Sequence, residues 1–435
     1  MHNILDYGAI GDGATNDAPA IQRAIDTCAA EGGGVVWVPG GHTYLTGQLT
    51  LRSHVTLNLV SGATLLGSLD PADYPEGALI QADGAENLAI TGTGTIDGQG
   101  VKFMREDRTY IYALDRLRDF RPRFIMLTRC RNVTLRDVTL RDSALWCVHL
   151  LGCEDVLIQG IRILNDLKVP NCDGIDPDRS RNVRISDCYI QAADDAIVLK
   201  ARAGYDELGP CENITVTGCT LLTRSAGLKI GTESHGDIRN VVFDSCVVLG
   251  SSRGVSIQLR DGGNVENIIC SNLIMRSELL YHEYWGKSEP IYISAYHRRP
   301  GRKLGRVRHV RVSNVLCQGE NGLFIGGSED SVIEDVALDN VRVEIGKTSQ
   351  WPGGLYDRRP YGGEDEVGVY AHRNAGVYIE RARDVALRNV RVAWGERRPD
   401  YYGPALECHD VEGLELAGFQ GQAAHPDRDP AMVIE

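Results

Sequence analysis

The sequence predicts an all-β fold: a single-stranded right-handed parallel β-helix, a solenoid closed at its start by one N-terminal capping helix. Three observations carry that expectation. A short template recurs at solenoid spacing, its β-branched runs alternate with polar residues over stretches too short for helices, and cysteines fall at a fixed offset inside it.

The template reads as a charged residue and Asn, a β-branched run, a polar corner, and a second β-branched run. It stands at Arg131-Asn132-Val133, Arg181-Asn182-Val183, Glu212-Asn213-Ile214, Arg239-Asn240-Val241 and Glu266-Asn267-Ile268, with weaker copies near Val156, Val310, Val336 and Val385. The steps from Val133 through Val156, Val183, Ile214 and Val241 to Ile268 are 23, 27, 31, 27 and 27 residues. Solenoid repeats occupy the range of about 20 to 50. Period-two alternation dominated by Val and Ile is the mark of strands. Stacked coil on coil, such strands make parallel sheets whose inward residues form ladders. Cys188, Cys219 and Cys246 each lie five residues after a template Val or Ile, in one interior column. The twelve cysteines therefore read as small core hydrophobes. No CxxC pair or zinc-spaced His and Cys set opposes that reading.

Ahead of the repeats, Asn16-Asp17-Ala18-Pro19 reads as a helix start and Ala20 to Ala30 as an amphipathic helix. A helix there would cap the exposed first coil, as repeat folds require. Gly32-Gly33-Gly34 ends it; with no Lys-Ser/Thr following, the triplet is punctuation rather than a phosphate loop. Three stretches break the period, 101–123, 277–305 and 346–374, and together they are rich in Tyr, Arg, Trp, Pro and Gly. Insertions of that kind become loops on one face of a solenoid, often the binding face. The expected organisation is one β-helix domain over 1–435, with cap and first coils over 1–65, main coils over 66–420 and a C-terminal tail over 421–435.

A length of 435 residues would give a compact-core protein two or three domains, a limit that repeat folds escape. With 43% hydrophobic and 24% charged residues the composition is that of a soluble globular protein, without an apolar run long enough for a membrane. A net charge of -13 and the lack of a basic stripe argue against a nucleic-acid partner. Met1 to Asp6 run straight into patterned sequence without a basic and apolar leader, so the expected location is cytoplasmic, or secreted if a signal was trimmed. The oligomeric state is not legible.

Two successive coils carry Asn171-Cys172-Asp173-Gly174-Ile175-Asp176 and Ala193-Asp194-Asp195-Ala196-Ile197. Aligning Asp173-Gly174-Ile175 on Asp195-Ala196-Ile197 puts Ile175 and Ile197 in an inward column and Asp173 and Asp195 in an outward one. Stacked strands lie about 4.8 Å apart, so these carboxylates and the adjacent Asp194 crowd together. Like charges that close raise at least one pKa. Glycoside hydrolysis needs just that: one carboxyl protonated as acid, another ionised as base or nucleophile. From spacing alone, a calcium site or a set of turn corners fits equally well, although no repeated Gly-Asp nonapeptide appears.

At these motifs the chain resembles the polygalacturonase-like glycoside hydrolases of family 28. The likeness begins at Asp6-Tyr7-Gly8-Ala9-Ile10-Gly11-Asp12-Gly13, passes through Ser61-Gly62-Ala63-Thr64-Leu65, Gly94-Thr95-Ile96-Asp97-Gly98-Gln99-Gly100 and Trp146, and peaks between Asn171 and Lys200. The resemblance implies that Asp194 is the general acid, that Asp173 and Asp195 activate water with inversion at the anomeric carbon, and that Asn171 orients the cluster. It implies a carbohydrate substrate and neither metal nor cofactor.

Two motifs depart from the family pattern. Where Gly-His-Gly is expected stands Ser225-Ala226-Gly227-Leu228-Lys229, so the supporting histidine is missing. Where Arg-Ile-Lys is expected stands Ser256-Ile257-Gln258, so both cations that would grip a galacturonate carboxylate are missing. Ser256 and Gln258 cannot make a charge-assisted contact. The expected substrate is therefore a neutral or differently charged sugar, unless a cation has moved. Lys229 shares the outward column of Ser256, and Arg253 and Arg260 flank the altered pair. Tyr296 falls near the family's substrate tyrosine, and His149 and Asp176 lie one column from the carboxylates, where they support substrate or bond between coils. Tyr281, Tyr284, Trp285, Tyr292, Tyr296 and Trp351 are candidates to stack on sugar rings, and the aromatic insertions suggest exo action on oligosaccharides. A glycan-binding β-helix without catalysis and a polysaccharide lyase are the alternatives.

Overall fold

Asn132, Asn182, Asn213, Asn240 and Asn267 take φ angles of 52°, 56°, 59°, 56° and 59°. That left-handed region costs most side chains about 1–2 kcal/mol, and Asn is among the few that visit it routinely. Here each Asn turns the chain through a corner, and its side-chain amide reaches the same corner of the next coil. Asn240 donates to Asn213 Oδ1 and Asn267 to Asn240 Oδ1, both at 3.0 Å. The Asn of the template is therefore a corner at the head of the β-branched run that follows it.

The computed structural model describes residues 1–105, 115–116, 120–281, 284–299, 301, 303–359 and 368–435. They form two compact units, Met1–Ala196 and Ile197–Glu435, both built from the parallel coils of a right-handed β-helix. In the first unit three parallel sheets run along the coils. One holds Ala78–Asp83, Arg123–Thr128, Val148–Leu151 and Ile175–Asp178. The second holds Glu86–Gly92, Arg131–Arg136, Glu154–Gln159 and Arg181–Ser186, with Val133, Val156 and Val183 on successive rungs. The third holds Thr95–Asp97, Thr139–Arg141, Arg162–Leu164 and Tyr189–Ala192.

The helix spans Ala18–Ala30 and buries Ile21, Ala24, Ile25 and Cys28 against the first strands. Asp17 precedes it without capping it; its carboxylate instead accepts the backbone N–H groups of Ile10 and Gly11 at 2.7 and 2.9 Å. Gly33 (φ 103°) has no substitute, since a Cβ there would lie 2.4 Å from the His54 carbonyl oxygen.

In the second unit Ile214, Val241, Ile268, Val310, Val336 and Val385 follow one another rung by rung, all buried. Each such side chain contributes about 1.5–3 kcal/mol on burial. Cys219 and Cys246 share an interior column, and all twelve cysteines are buried thiols. Two expectations need correction. Glu289–Ala295, assigned to an insertion, is a regular coil strand in register with Arg253–Leu259; its alternating Ile291 and Ile293 point into the core, while Tyr292 between them mimics a loop composition. Met432–Ile434, assigned to a tail, pairs in parallel with Leu406–Glu412.

The corner account predicts that Asn240→Ala lowers stability by about 1–2 kcal/mol, through the strained φ and the lost ladder bonds, and that Asn240→Gly costs less. Denaturant midpoints test this, and equal losses for the two variants would contradict it.

Candidate active site

In the first unit the backbone bonds Gly174 N–H to Asp195 O at 2.9 Å and Ile175 N–H to Ala196 O at 3.0 Å. That register sets Asp173 opposite Asp195 on adjoining coils. Gly174 makes the approach possible, because a Cβ there would stand 2.3 Å from the Ala196 carbonyl oxygen. Asp173 and Asp195 are buried and Asp194 is half-buried. Asp194 Oδ1 accepts the Asp195 N–H at 3.0 Å, and Asn171 Nδ2 approaches Asp194 Oδ2 at 3.5 Å. Asn171 holds φ at 57°, and its Oδ1 accepts from Arg121 Nη2 at 3.2 Å. Arg121 also donates to the carbonyls of Ala144 and Pro170, at 3.1 and 2.5 Å. Because a guanidinium only donates, it holds the Asn171 carbonyl and turns the amide toward Asp194. Sequence reasoning gathered the carboxylates and Asn171 but missed Arg121, which lies inside the 101–123 insertion with no motif to mark it.

His149 and Asp176 are paired in register, as their column required, and both are fully buried. His149 Nε2 lies 3.2 Å from Asp178 Oδ2. The His149 ring meets Trp146 edge-on at 5.0 Å, and Arg123 covers the other part of that indole at 4.3 Å. Asp178 was also unforeseen, although the run Asp173 to Asp178 contains it.

In the second unit Lys229, Ser256 and Tyr292 occupy successive rungs. Lys229 is half-buried, while Ser256 is closed off from solvent. Gln258 donates to Ser256 Oγ at 2.9 Å, and its Oε1 accepts from Arg260 Nη2 at 3.3 Å. Arg260, only 2% exposed, also donates to Ser294 Oγ and the Leu259 carbonyl, both at 3.0 Å. Arg253, expected among the substrate cations, is buried against Glu289 Oε2 at 3.1 Å, the Asp357 carbonyl at 2.9 Å and the face of Tyr292 at 3.5 Å. Nearby, Glu233 is held below the usual carboxylate range: burial alone would push it up, but Lys200 and Lys229 outweigh that. Among the described residues no group of three or more His, Cys, Asp or Glu is arranged to hold a metal ion.

Tyr296 donates to Glu380 Oε1 at 2.5 Å, and Glu380 also pairs with Arg358. Arg358 comes from the third insertion and lies over Tyr370 and Tyr296, at 4.4 and 5.2 Å. Tyr292 is no sugar platform. It is fully buried and stacks on Phe324, which stacks on Tyr378, at 4.9 and 5.4 Å. The antiparallel pair Leu355–Asp357 and Val369–Ala371 adds Tyr356 to this cluster. Tyr281 and Trp351 pack edge-on at 4.8 Å, whereas Trp285 stays 36% exposed with Arg359 at 4.6 Å. Within the third insertion Asp357 is held low: burial would raise it, but Arg359, Arg253 and Lys287 prevail. Burial in turn brings Lys287 down to about 8.

The family model of the glycosyl hydrolases family 28 matches residues 28–350. A "Probable polygalacturonase" of Vitis vinifera is 34% identical over 259 residues, 53% of this chain and 51% of that protein. An "Exo-poly-alpha-D-galacturonosidase" of Dickeya chrysanthemi is 29% identical over 47% of this chain and 42% of its own length. The chain thus spans about half the length of the curated relatives it matches. The crystal structure of an exopolygalacturonase from Thermotoga maritima covers 90% of this chain and 91% of its own, at 26% identity and a TM-score of 0.71. A family 28 exopolygalacturonase from Yersinia enterocolitica, at 21% identity, 95% and 78% coverage and a TM-score of 0.69, shares the fold.

One histidine on the aromatic face has its pKa raised by its neighbours. His372 lies between two acceptors, the Arg373 carbonyl at 2.7 Å and Glu407 Oε1 at 3.1 Å. Burial lowers its pKa, but Glu407 and that carbonyl reverse the sign and raise it above 6.5. A raised histidine stabilises the fold fully below its unfolded pKa and loses that contribution as pH rises through the folded value. Wild type is therefore expected to gain thermal stability between about pH 8 and pH 6, and His372→Gln to gain less. Identical pH profiles of melting temperature would contradict the assignment.

Proposed function

The chain belongs to the glycosyl hydrolases of family 28, and from that premise we propose that it hydrolyses a pectin-type oligosaccharide from a chain end, with inversion. The observation that carries this reading is the register of Asp173 against Asp195, with Asp194 beside them. Three carboxyls held so close do not all ionise at low cost, which leaves a proton for the acid. In the proposed reaction Asp194 gives that proton to the glycosidic oxygen as the C1–O bond breaks. Water attacks C1 from the opposite face, and its proton passes to Asp173 or Asp195. Asn171, itself held by Arg121, keeps Asp194 oriented. His149 and Asp176, fully enclosed, act as supports between coils rather than as direct sugar contacts.

Exo action is supported by the likeness to exo-acting proteins of Dickeya chrysanthemi and Thermotoga maritima. For the sugar, Ser256 and Gln258 stand where the family carries Arg and Lys, and they are bonded to each other. Arg253 is committed to Glu289 and the Asp357 carbonyl. This supports a sugar other than plain galacturonate.

Incubation with a panel of neutral and acidic pectic oligosaccharides is expected to release reducing monosaccharide, with the inverted anomer appearing first by proton NMR. Asp194→Asn should lower kcat by about 10²–10⁴-fold. Activity unchanged in that variant would remove the assignment. Oligogalacturonate turned over in preference to neutral-ended substrates would overturn the sugar reading alone.

A further inference from the structure

One face of the second unit is out of keeping with a solvated solenoid. Val247, Ile274 and Leu316 sit on successive rungs, with Leu249 beside them where the register shifts. Leu249, Ile274 and Leu316 are 48%, 55% and 56% exposed, and they line one open groove. Corresponding rungs on the third sheet of the first unit carry Thr139 and Arg162. Contiguous exposed aliphatics of this kind mark interaction surfaces.

The charges beside the stripe indicate what covers it. Arg276, Gln318 and Glu344 form the neighbouring column on three successive rungs. Read along the column, the charge goes from positive through neutral to negative. Such a column is complementary to itself once its order is reversed, which is the condition for an isologous contact between two copies. An anionic membrane would instead call for a uniformly basic rim.

We propose that this face binds a second copy of the chain in a two-fold dimer, with the axis parallel to the strand that carries Leu316 and Gln318. Rotation about that axis keeps each column in place and reverses the order of the coils. Arg276 of one protomer then meets Glu344 of the other, twice. Leu316 packs against Leu316, and Ile274 lies under the aliphatic stem of Arg342, which occupies the rung after Leu316. Within the chain, among the described residues, Arg276 pairs with Glu278, at 3.8 Å. The inference is independent of the proposed reaction and survives its failure.

Sedimentation velocity on the full chain, across micromolar concentrations, tests it. Wild type is expected to show a concentration-dependent dimer. Leu316→Asp, Arg276→Glu and Glu344→Arg should each weaken association by about tenfold or more, and the double variant R276E/E344R should recover it. All three positions lie at the surface, and unchanged melting temperatures would establish that the variants fold. A wild-type monomer throughout, a dimer indifferent to Leu316→Asp, or a charge swap that fails to restore association would each overturn the proposal.

Discussion

The 2.9 Å hydrogen bond from Gly174 N–H to the Asp195 carbonyl is one rung of a parallel register on which everything else in each unit depends. Parallel coils are held at the spacing of one strand, so any chemistry carried at equivalent positions of two coils is brought together whatever the intervening sequence. Two features protect that spacing at the carboxylates. Gly174 leaves room for the next coil, and corners such as Asn182 turn without strain while bonding coil to coil, here through Asp155 Oδ1 at 3.0 Å. The backbone bonds thus fix Asp173 and Asp195 at equivalent positions of adjoining coils.

The second unit uses the same register for a different purpose. Its outward column passes from Lys229 through Ser256 into a stack of aromatic rings, so polarity gives way to a second small core outside the coils. The third insertion closes that core with buried ion pairs. Asp357 draws on Arg359 and on the N–H of Gly286, while Arg253 is spent on Glu289. A cation enclosed in this way is unavailable to ligand. An arginine close to a motif in sequence is therefore not necessarily part of its chemistry.

What was legible in the sequence follows from which interactions are local. The template Val and Ile columns, the buried thiols and the Asp173/Asp195 pairing follow from spacing alone, because each repeats within one or two coils, whereas the positive φ that makes each template Asn a corner is a backbone property the pattern did not assign. Arg253 could not be read this way. The partner that commits its guanidinium, the carbonyl of Asp357, is 104 residues away. Arg121 is hidden similarly, 50 residues before the Asn171 it holds. Glu289–Ala295 was obscured by Tyr292, whose ring suggested a loop platform but serves as the first layer of the aromatic stack.

The most direct measurement of the central claim is a crystal structure of the Asp194→Asn protein with a pectic oligosaccharide bound. The account predicts the scissile oxygen within hydrogen-bond reach of residue 194, and a water held by Asp173 and Asp195 on the opposite face of the anomeric carbon. A sugar bound away from these three residues, with no glycosidic oxygen near position 194, would contradict it.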